Sequence, residues 1–524
     1  MAAYAIVEEE FSAAREQFEK LATKLGGAEA MAMTHSELES LVEKDGREVL
    51  RHLLQDHLHL RGEADARERV PMVEGADGVR RTQHRVHERP LMTVFGSVGV
   101  ARTAYAAPGS ASLHPLDGQL NLPEELYSHH LRKRLAEEVA RGSYDEAIAA
   151  LERNTGVMVP KRQAEELARR AAQDFDAFYA GRHAASPAEE ANTGALVCLT
   201  SDGKGVPMRK DHLREETRKA AEAESHKLTR RLSKGEKNHR KRMATVASVF
   251  TQGAQARTAE DVLADLRGSD DTPKPPRPAP EKKRVWASVA KEVVAVLGDA
   301  FAEAIRRDPL RQKTWVALVD GNQTQLRLLK KLAKKYAVEL TVVLDLIHVV
   351  EYLWKAAWAF HQEGDEAVEA WVDERLLEIL RGKSSEVAGG IRRSATLREL
   401  KGAARKAADK CADYLIKYRR FLQYDEYLTA GLPIATGVVE GACRYVVKDR
   451  CEVTGAHWTV PGAEAVLRLR SLRASGDFEA YWRFHLKQEH ARNHAARYAK
   501  RSVQLAAIAK PTPPTSRSHL RVIK

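Results

Sequence analysis

The sequence predicts an α/β fold: a mixed sheet interrupted by an all-helical insertion, behind a largely helical N-terminal region. Three observations point there. Two short, nearly all-apolar runs, ALVCLTSDG (195–203) and TWVALVDG (314–321), read as buried strands and each closes on Asp-Gly. Amphipathic runs of helical length alternate with such strands after residue 195. From Gly364 to about Ala430 the apolar spacing is helical throughout, with no strand pattern.

A chain of 524 residues has room for several domains, about two to four at ~150 residues each. The 43% of apolar residues is enough for a sizeable core. The formal net charge of +12 favours a polyanionic partner, because each phosphate neutralised by Lys or Arg releases a condensed counterion. The four cysteines, Cys198, Cys411, Cys443 and Cys451, form no Cys-x-x-Cys pair. That argues against a zinc ribbon and a disulfide framework, and it fits a reducing cytoplasm. The opening MAAYAIVEEEFSAAREQ has no basic stretch followed by an apolar one, so it does not read as a secretory signal. No apolar run is long enough to span a bilayer, and no membrane partner is expected.

Taken in order, residues 1–120 read as an N-terminal helical region with a β-hairpin. EEEFSAAREQFEKLATKLG carries helical spacing up to Gly26, and a second helix runs from Ser36 to about Leu60. LMTVFGSVGVARTAYA (91–106), rich in β-branched and aromatic residues, supplies the hairpin. Residues 121–181 form a helix-turn-helix candidate. There LRKRLAEEVARG stops at Gly142, and Ser143 with Glu146 makes a capping box for YDEAIAALERN. A Thr155-Gly156 turn follows, and Pro160 opens KRQAEELARRA. Lys161, Arg162 and Gln163 then stand in the first turn of the second helix, where such residues reach base edges. An ordinary packed helical hairpin is the competing reading.

RHAASPAEEANTG (182–194) reads as a linker, and 195–363 as the first part of the sheet-bearing core. Its expected elements are a strand ending at Asp202, a basic helical segment 209–242 and a strand ATVASVF (244–250). A Pro-rich loop GSDDTPKPPRPAPEKKR (268–284) and a helix WASVAKEVVAVLGDAFAEAIRR (286–307) come next. The strand ending at Asp320, the helix QLRLLKKLAKKY, the strand VELTVVLD (338–345) and the helix IHVVEYLWKAAWAFH complete the region. Residues 364–432 are the helical insertion. Residues 433–500 return to the core with VVEGACRYVVKDR (438–450), and 501–524 read as a disordered basic tail.

An ionised carboxylate at the end of an apolar strand must be paired, hydrogen-bonded or bound to metal. Asp-Gly is also a common turn dipeptide, so either aspartate alone favours the turn reading. Their combination with the element order changes that balance. Strand with Asp, strand, helix, strand with Asp, helix, strand, helical block, helix with Glu resembles the ribonuclease-H-like fold. The middle strand of that fold is the weak point, with only a poor candidate near Gln255–Val262. In that fold three carboxylates converge on two Mg²⁺ ions, for which hard oxygen ligands suit.

SDGKGV, VDGNQTQ, DLIHVVEYLW, GVVEGACRYVVKDR and GAEAVLRLRS, in this order, resemble bacterial insertion-sequence transposases of the Kra family, relatives of the Mutator-like DDE transposases. The resemblance spans about residues 85–490. It implies catalytic, metal-binding carboxylates at Asp202, Asp320 and Glu440. It also implies two Mg²⁺ ions for which Mn²⁺ substitutes, and double-stranded DNA, as terminal inverted repeats and as target. A homodimer or larger synaptic assembly in the bacterial nucleoid follows from the reaction class. The family's Asp/Cys-x-x-His signature matches Asp345-Leu346-Ile347-His348, and the helical block matches the family's insertion domain. Asp345 also ends an apolar strand, so on sequence geometry it competes with Asp320. The resemblance favours Asp320 as ligand, with Asp345 and His348 as positioning groups behind the ligands.

Gly437, Gly441 and Ala442 surround Glu440 with small residues. Arg444, Lys448 and Arg450 follow at helical spacing and are candidate phosphate contacts. Trp458 reads as core ahead of base stacking. Two other readings stay open: a ribonuclease-H-like nuclease without strand transfer, and a catalytically inactive, transposase-derived DNA-binding protein. Terminal inverted repeats in the flanking DNA discriminate between the classes.

Overall fold

The computed structural model describes residues 10–184, 193–223, 239–268, 277–435 and 437–503. Contacts divide the chain into two units. One comprises Met1–Glu138, Tyr144–Ala171 and Trp482–Lys524; the other comprises Val139–Ser143 and Ala172–Tyr481.

In the first unit, helices α1 (Ser12–Leu25) and α2 (His35–Arg67) run antiparallel. The Asp56 carboxylate accepts from the Ala14 amide at 3.0 Å, and Lys24 meets Asp45 at 2.8 Å. Thr34 and Glu37 cap α2 reciprocally. Strands β1 (Gln83–Thr93), β2 (Gly96–Ala107) and β3 (Ser110–Leu113) form an antiparallel sheet, which extends the hairpin expected over 91–106. The side chain of Gln55 bonds both the carbonyl and the amide of Gly99, at 3.0 and 2.7 Å. At Gly62 a Cβ would stand 2.7 Å from the Ala101 carbonyl, so this closest approach of α2 to β2 requires glycine.

Helix α3 (His129–Arg141) is followed by α4 (Tyr144–Thr155) and α5 (Lys161–Ala171). Gly156, at φ +69°, turns the chain between α4 and α5, and Val157 and Val159 are buried in the turn. Two helices joined by a turn are what both the helix-turn-helix and the packed-hairpin readings expect, and Lys161, Arg162 and Gln163 are all exposed on α5.

The second unit begins its elements with α6 (Phe175–Ala184) and contains a five-stranded mixed sheet. The strands are β4 (Leu196–Pro207), β5 (Lys241–Gln252), β6 (Glu281–Ser288), β7 (Thr314–Val319) and β8 (Leu340–Leu344). They lie in the order β8-β7-β4-β5-β6. β5 is antiparallel to β4 and to β6, whereas β4, β7 and β8 are mutually parallel.

Three expectations are corrected here. β4 does not end at Asp202. It continues through Gly203 and Gly205 to Pro207, paired with β5 as far as Lys241. The third strand is not near Gln255–Val262, where the chain enters helix α8 (Ala259–Arg267) after a short helix α7 (Glu215–Glu222) earlier on. It is Glu281–Ser288, and the helix expected over 286–307 starts only at Val293, as α9 (Val293–Arg307). The basic segment 209–242 is helical only in part. Lys210–His212 and α7 are helical turns, Lys241 already belongs to β5, and residues 224–238 lie outside the described residues. The expected linker 182–194 has α6 running to Ala184, and its residues 185–192 lie outside the described residues. So do residues 269–276 of the Pro-rich loop and all but the first three residues of the expected tail.

Helices α10 (Gln323–Tyr336) and α11 (Leu346–Ala357) follow β7 and β8. The helical block expected over 364–432 consists of α12 (Ala367–Leu380), α13 (Ser384–Leu397), α14 (Gly402–Tyr418) and α15 (Tyr424–Thr429), with no strand among them. The chain returns in α16 (Gly437–Ala442), which continues as a π-helical stretch Cys443–Lys448 and a last turn Asp449–Cys451. Helix α17 (Val460–Ala474) then covers β6, the edge strand. Three amides along that edge are satisfied by side chains of α17 and of Ser475, its C-terminal cap. Ser475 accepts from Val285 at 3.0 Å, Ser471 from Ala287 at 3.3 Å, and Glu464 from Val289 at 2.9 Å. Residues 464, 471 and 475 share one helical face, and residues 285, 287 and 289 share one side of a strand. A row of exposed donors is thereby closed to pairing with another strand.

Candidate active site

The ladder between β4 and β7 pairs Thr200 with Leu318, and that between β7 and β8 pairs Val319 with Leu344. Asp202 lies two residues past the last β4–β7 pair, and Asp320 and Asp345 each stand one residue past the end of β7 and of β8. Three aspartates thus stand just past the ends of the two parallel ladders that join β4, β7 and β8. The carboxyl ends of β7 and β8 are where α/β sheets place their ligands.

Each aspartate is held differently. Asp202 is half-buried. One carboxylate oxygen accepts from the Gly203 amide at 2.6 Å, the other from the Cys443 thiol at 3.2 Å. Asp320 accepts from the Asn322 amide at 2.8 Å, and Asn322 in turn caps α10. Asp345 is fully buried and caps α11 by accepting from the Ile347 amide at 2.9 Å.

The amide of Leu346 donates to the carbonyl of Ile434 at 2.9 Å, which ties the segment entering α16 to the start of α11. Glu440 arrives by that route. One ligand atom each from Asp345, His348 and Glu440 lie within 4.8 Å of one another. Partial desolvation, then the negative charges of Asp345 and Asp202, raise the Glu440 carboxyl above its ordinary pKa, and His348 opposes them. Cys443, one turn after Glu440, keeps its proton because burial and the Asp202 charge push its thiol up. The helix carrying both residues changes to π geometry at Cys443, a departure from regular winding that often accompanies function.

The helical block braces these strand ends. The Tyr418 hydroxyl donates to the Gly321 carbonyl at 2.5 Å, one residue past Asp320. Tyr424, fully buried, donates to the Leu344 carbonyl at 2.7 Å, one residue before Asp345. Tyr414 stacks on Tyr352 with ring centroids 3.8 Å apart. Burial, the neighbouring tyrosines and then the charges of Asp320 and Asp345 push its phenol up.

All five acidic and histidine candidates thus come from elements that meet at one end of the sheet. The tightest ligand group joins Glu440 to Asp345 and His348, the pair read as positioning groups from sequence. Arg444 and Lys448 are exposed on the helix after Glu440. Arg450 is not: it is buried, with its guanidinium 4.7 Å from the Trp458 ring, so its phosphate-contact reading is replaced by a packing one. Trp458 is core, and its indole donates to the Cys451 carbonyl at 3.1 Å. Sequence reasoning missed Cys443 and the tyrosines. The available signals were the three-residue spacing from Glu440 to Cys443 and four tyrosines between positions 414 and 427.

Compared with protein-family models and with curated proteins, the chain matches none. No helix among the described residues is long and apolar enough to cross a membrane.

Proposed function

We propose that this protein is a DDE transposase with a ribonuclease-H-like core, which cleaves DNA at element ends and joins them to target DNA. The observation that carries the reading is the meeting of Glu440, from a distant helix, with Asp345 and His348, while Cys443 on the same helix bonds Asp202. The presence of β6 supplies the third strand that the reading requires and that the sequence obscured.

The donor set fits hard divalent cations: carboxylate oxygens from separate elements, with a buried aspartate and a glutamate whose charge is disfavoured without a counter-ion. Asp202, Asp320 and Glu440 would hold Mg²⁺ or Mn²⁺, and the geometry also admits Asp345 and His348 as direct ligands with Glu440. Cations bound there would offset charge on the attacking and leaving oxygens of an in-line displacement at phosphorus. The protein's own part is positional. Cys443 orients Asp202, Tyr418 and Tyr424 fix the strand ends, and Arg444 and Lys448 meet phosphates. Lys161, Arg162 and Gln163 read the element ends in duplex DNA, and a homodimer or larger assembly holds two ends together.

The test is incubation of the full chain with DNA carrying the element's ends and flanking sequence, with Mg²⁺ or with chelator. The reading requires metal-dependent nicks at the end boundary that leave 3′-hydroxyls competent for joining. Absence of end-specific cleavage under both Mg²⁺ and Mn²⁺ contradicts it.

A further inference from the structure

Helix α10 begins three residues beyond Asp320 and carries five cations, Arg327, Lys330, Lys331, Lys334 and Lys335, with no carboxylate in its sequence. All five are exposed, and none has an ion-pair partner among the described residues. Several cations on other helices are paired, as Arg47 with Glu43, Lys355 with Glu351 and Arg405 with Asp409. At 100° per residue the five occupy an arc of about 140°, opposite buried Leu329 and Leu332. The helix dipole accounts for Lys334 and Lys335 in the last turn. It leaves Arg327, Lys330 and Lys331 uncompensated.

A second basic group joins the first end of this helix. Gln323, in the first turn of α10, donates to the Tyr418 hydroxyl at 2.8 Å. Lys417, Arg419 and Arg420, around that tyrosine, are exposed and likewise have no ion-pair partner among the described residues. Three cations therefore surround the tyrosine docked beside the Asp320 loop, and five more extend from that loop along α10, over about 18 Å.

We infer that the exposed face of α10, with Lys417, Arg419 and Arg420, is a track for the phosphate backbone of duplex DNA running past the candidate carboxylates. The inference rests on the transposase reading and assigns a surface to it. Like charges left uncompensated along a rigid helix repel one another, and a polyanion of regular charge spacing relieves that repulsion while releasing counterions.

The test is equilibrium binding of the full chain to a random duplex of about 30 base pairs over a range of salt. The variants are Lys330→Ala/Lys331→Ala/Lys334→Ala and Lys417→Ala/Arg419→Ala/Arg420→Ala. Each triple variant should flatten the log–log salt slope by roughly 2–3 and weaken binding at least about tenfold, with thermal stability unchanged. If the wild type binds duplex and both variants keep its slope and affinity, the surface is wrong while the DNA reading stands. If the wild type fails to bind any duplex, the transposase reading falls and the inference with it. An equal loss of binding to polyglutamate overturns the assignment to DNA.

Discussion

The Tyr418 hydroxyl reaches the Gly321 carbonyl because Gly321 has no side chain: a Cβ there would stand 3.0 Å from the Tyr418 ring, at a φ of +92°. Asp320-Gly321 is thus a docking point between helical block and sheet as well as a turn. Tyr418→Phe leaves Gln323 and the Gly321 carbonyl only the 3.4 Å bond between them, which should cost about 1–2 kcal/mol in urea unfolding. Gly321→Ala should cost more, about 2–3 kcal/mol, because the backbone strain remains after any side-chain adjustment. In a Tyr418→Ala background, where the ring atom at 3.0 Å is gone, Gly321→Ala should then still destabilise. No further loss in that background would show that only the ring contact, and not the φ value, demands glycine.

A second prediction concerns the edge of the sheet. Glu464 accepts from the Ser288 hydroxyl at 2.9 Å and from the amides of Val289 and Ala290 at 2.9 and 3.1 Å. Glu464→Ala should lower unfolding stability by about 3 kcal/mol, since several buried donors lose their acceptor together. Glu464→Gln should cost distinctly less, because one carbonyl oxygen remains. Equal losses would mean that charge, not acceptor geometry, holds β6 to α17.

Glu440 gives a pH-dependent prediction. Its folded pKa lies above the ordinary 4.5, so the native state binds the proton more tightly than the unfolded chain. The stability it contributes is full below 4.5 and is lost as pH rises through the raised value. In chelator, the melting temperature of wild type should therefore fall over that window more than that of Glu440→Gln. Added Mn²⁺ or Mg²⁺ should raise the wild-type melting temperature at neutral pH and raise the variant's much less. Superimposable curves for the two proteins, with and without cation, would remove Glu440 from the site.

The exposed first turn of α5 predicts a change in specificity without a change in stability. Arg162→Ala and Gln163→Ala should each reduce the preference for the element's own ends by ~1–3 kcal/mol per lost bidentate base contact. Competition between end DNA and scrambled DNA measures it. An unchanged ratio in both variants would assign end recognition elsewhere in the N-terminal region.

What the sequence discloses follows from how each element is stabilised. ALVCL and VALV read as buried strands because both faces of a central strand are apolar, and TVVL, at one edge of the sheet, because it too is almost wholly apolar. The aspartates after them were visible for the same reason. β6 was hidden because EKKR is charged and a proline-rich run precedes it. Trp286, Val289, Val293 and Val296 also happen to fall at helical spacing. Its stability comes from a ladder on one side and side chains of α17 and Ser475 on the other, neither of which is a local property. The strand beyond Asp202 was missed because Gly203 and Gly205 read as turn residues. Arg450 looked like a surface cation because nothing local announces that it stacks on Trp458. The meeting of Glu440 with Asp345 and His348 depends on a 95-residue excursion that only the folded chain closes.

The most direct test of the proposed chemistry is cleavage of end-containing DNA by Asp202→Asn, Asp320→Asn and Glu440→Gln, with DNA binding measured in parallel. Each variant should retain affinity for the ends and lose metal-dependent cleavage. Near wild-type cleavage with Mg²⁺ by any one of the three would contradict that residue's place in the site, and by all three the transposase mechanism itself.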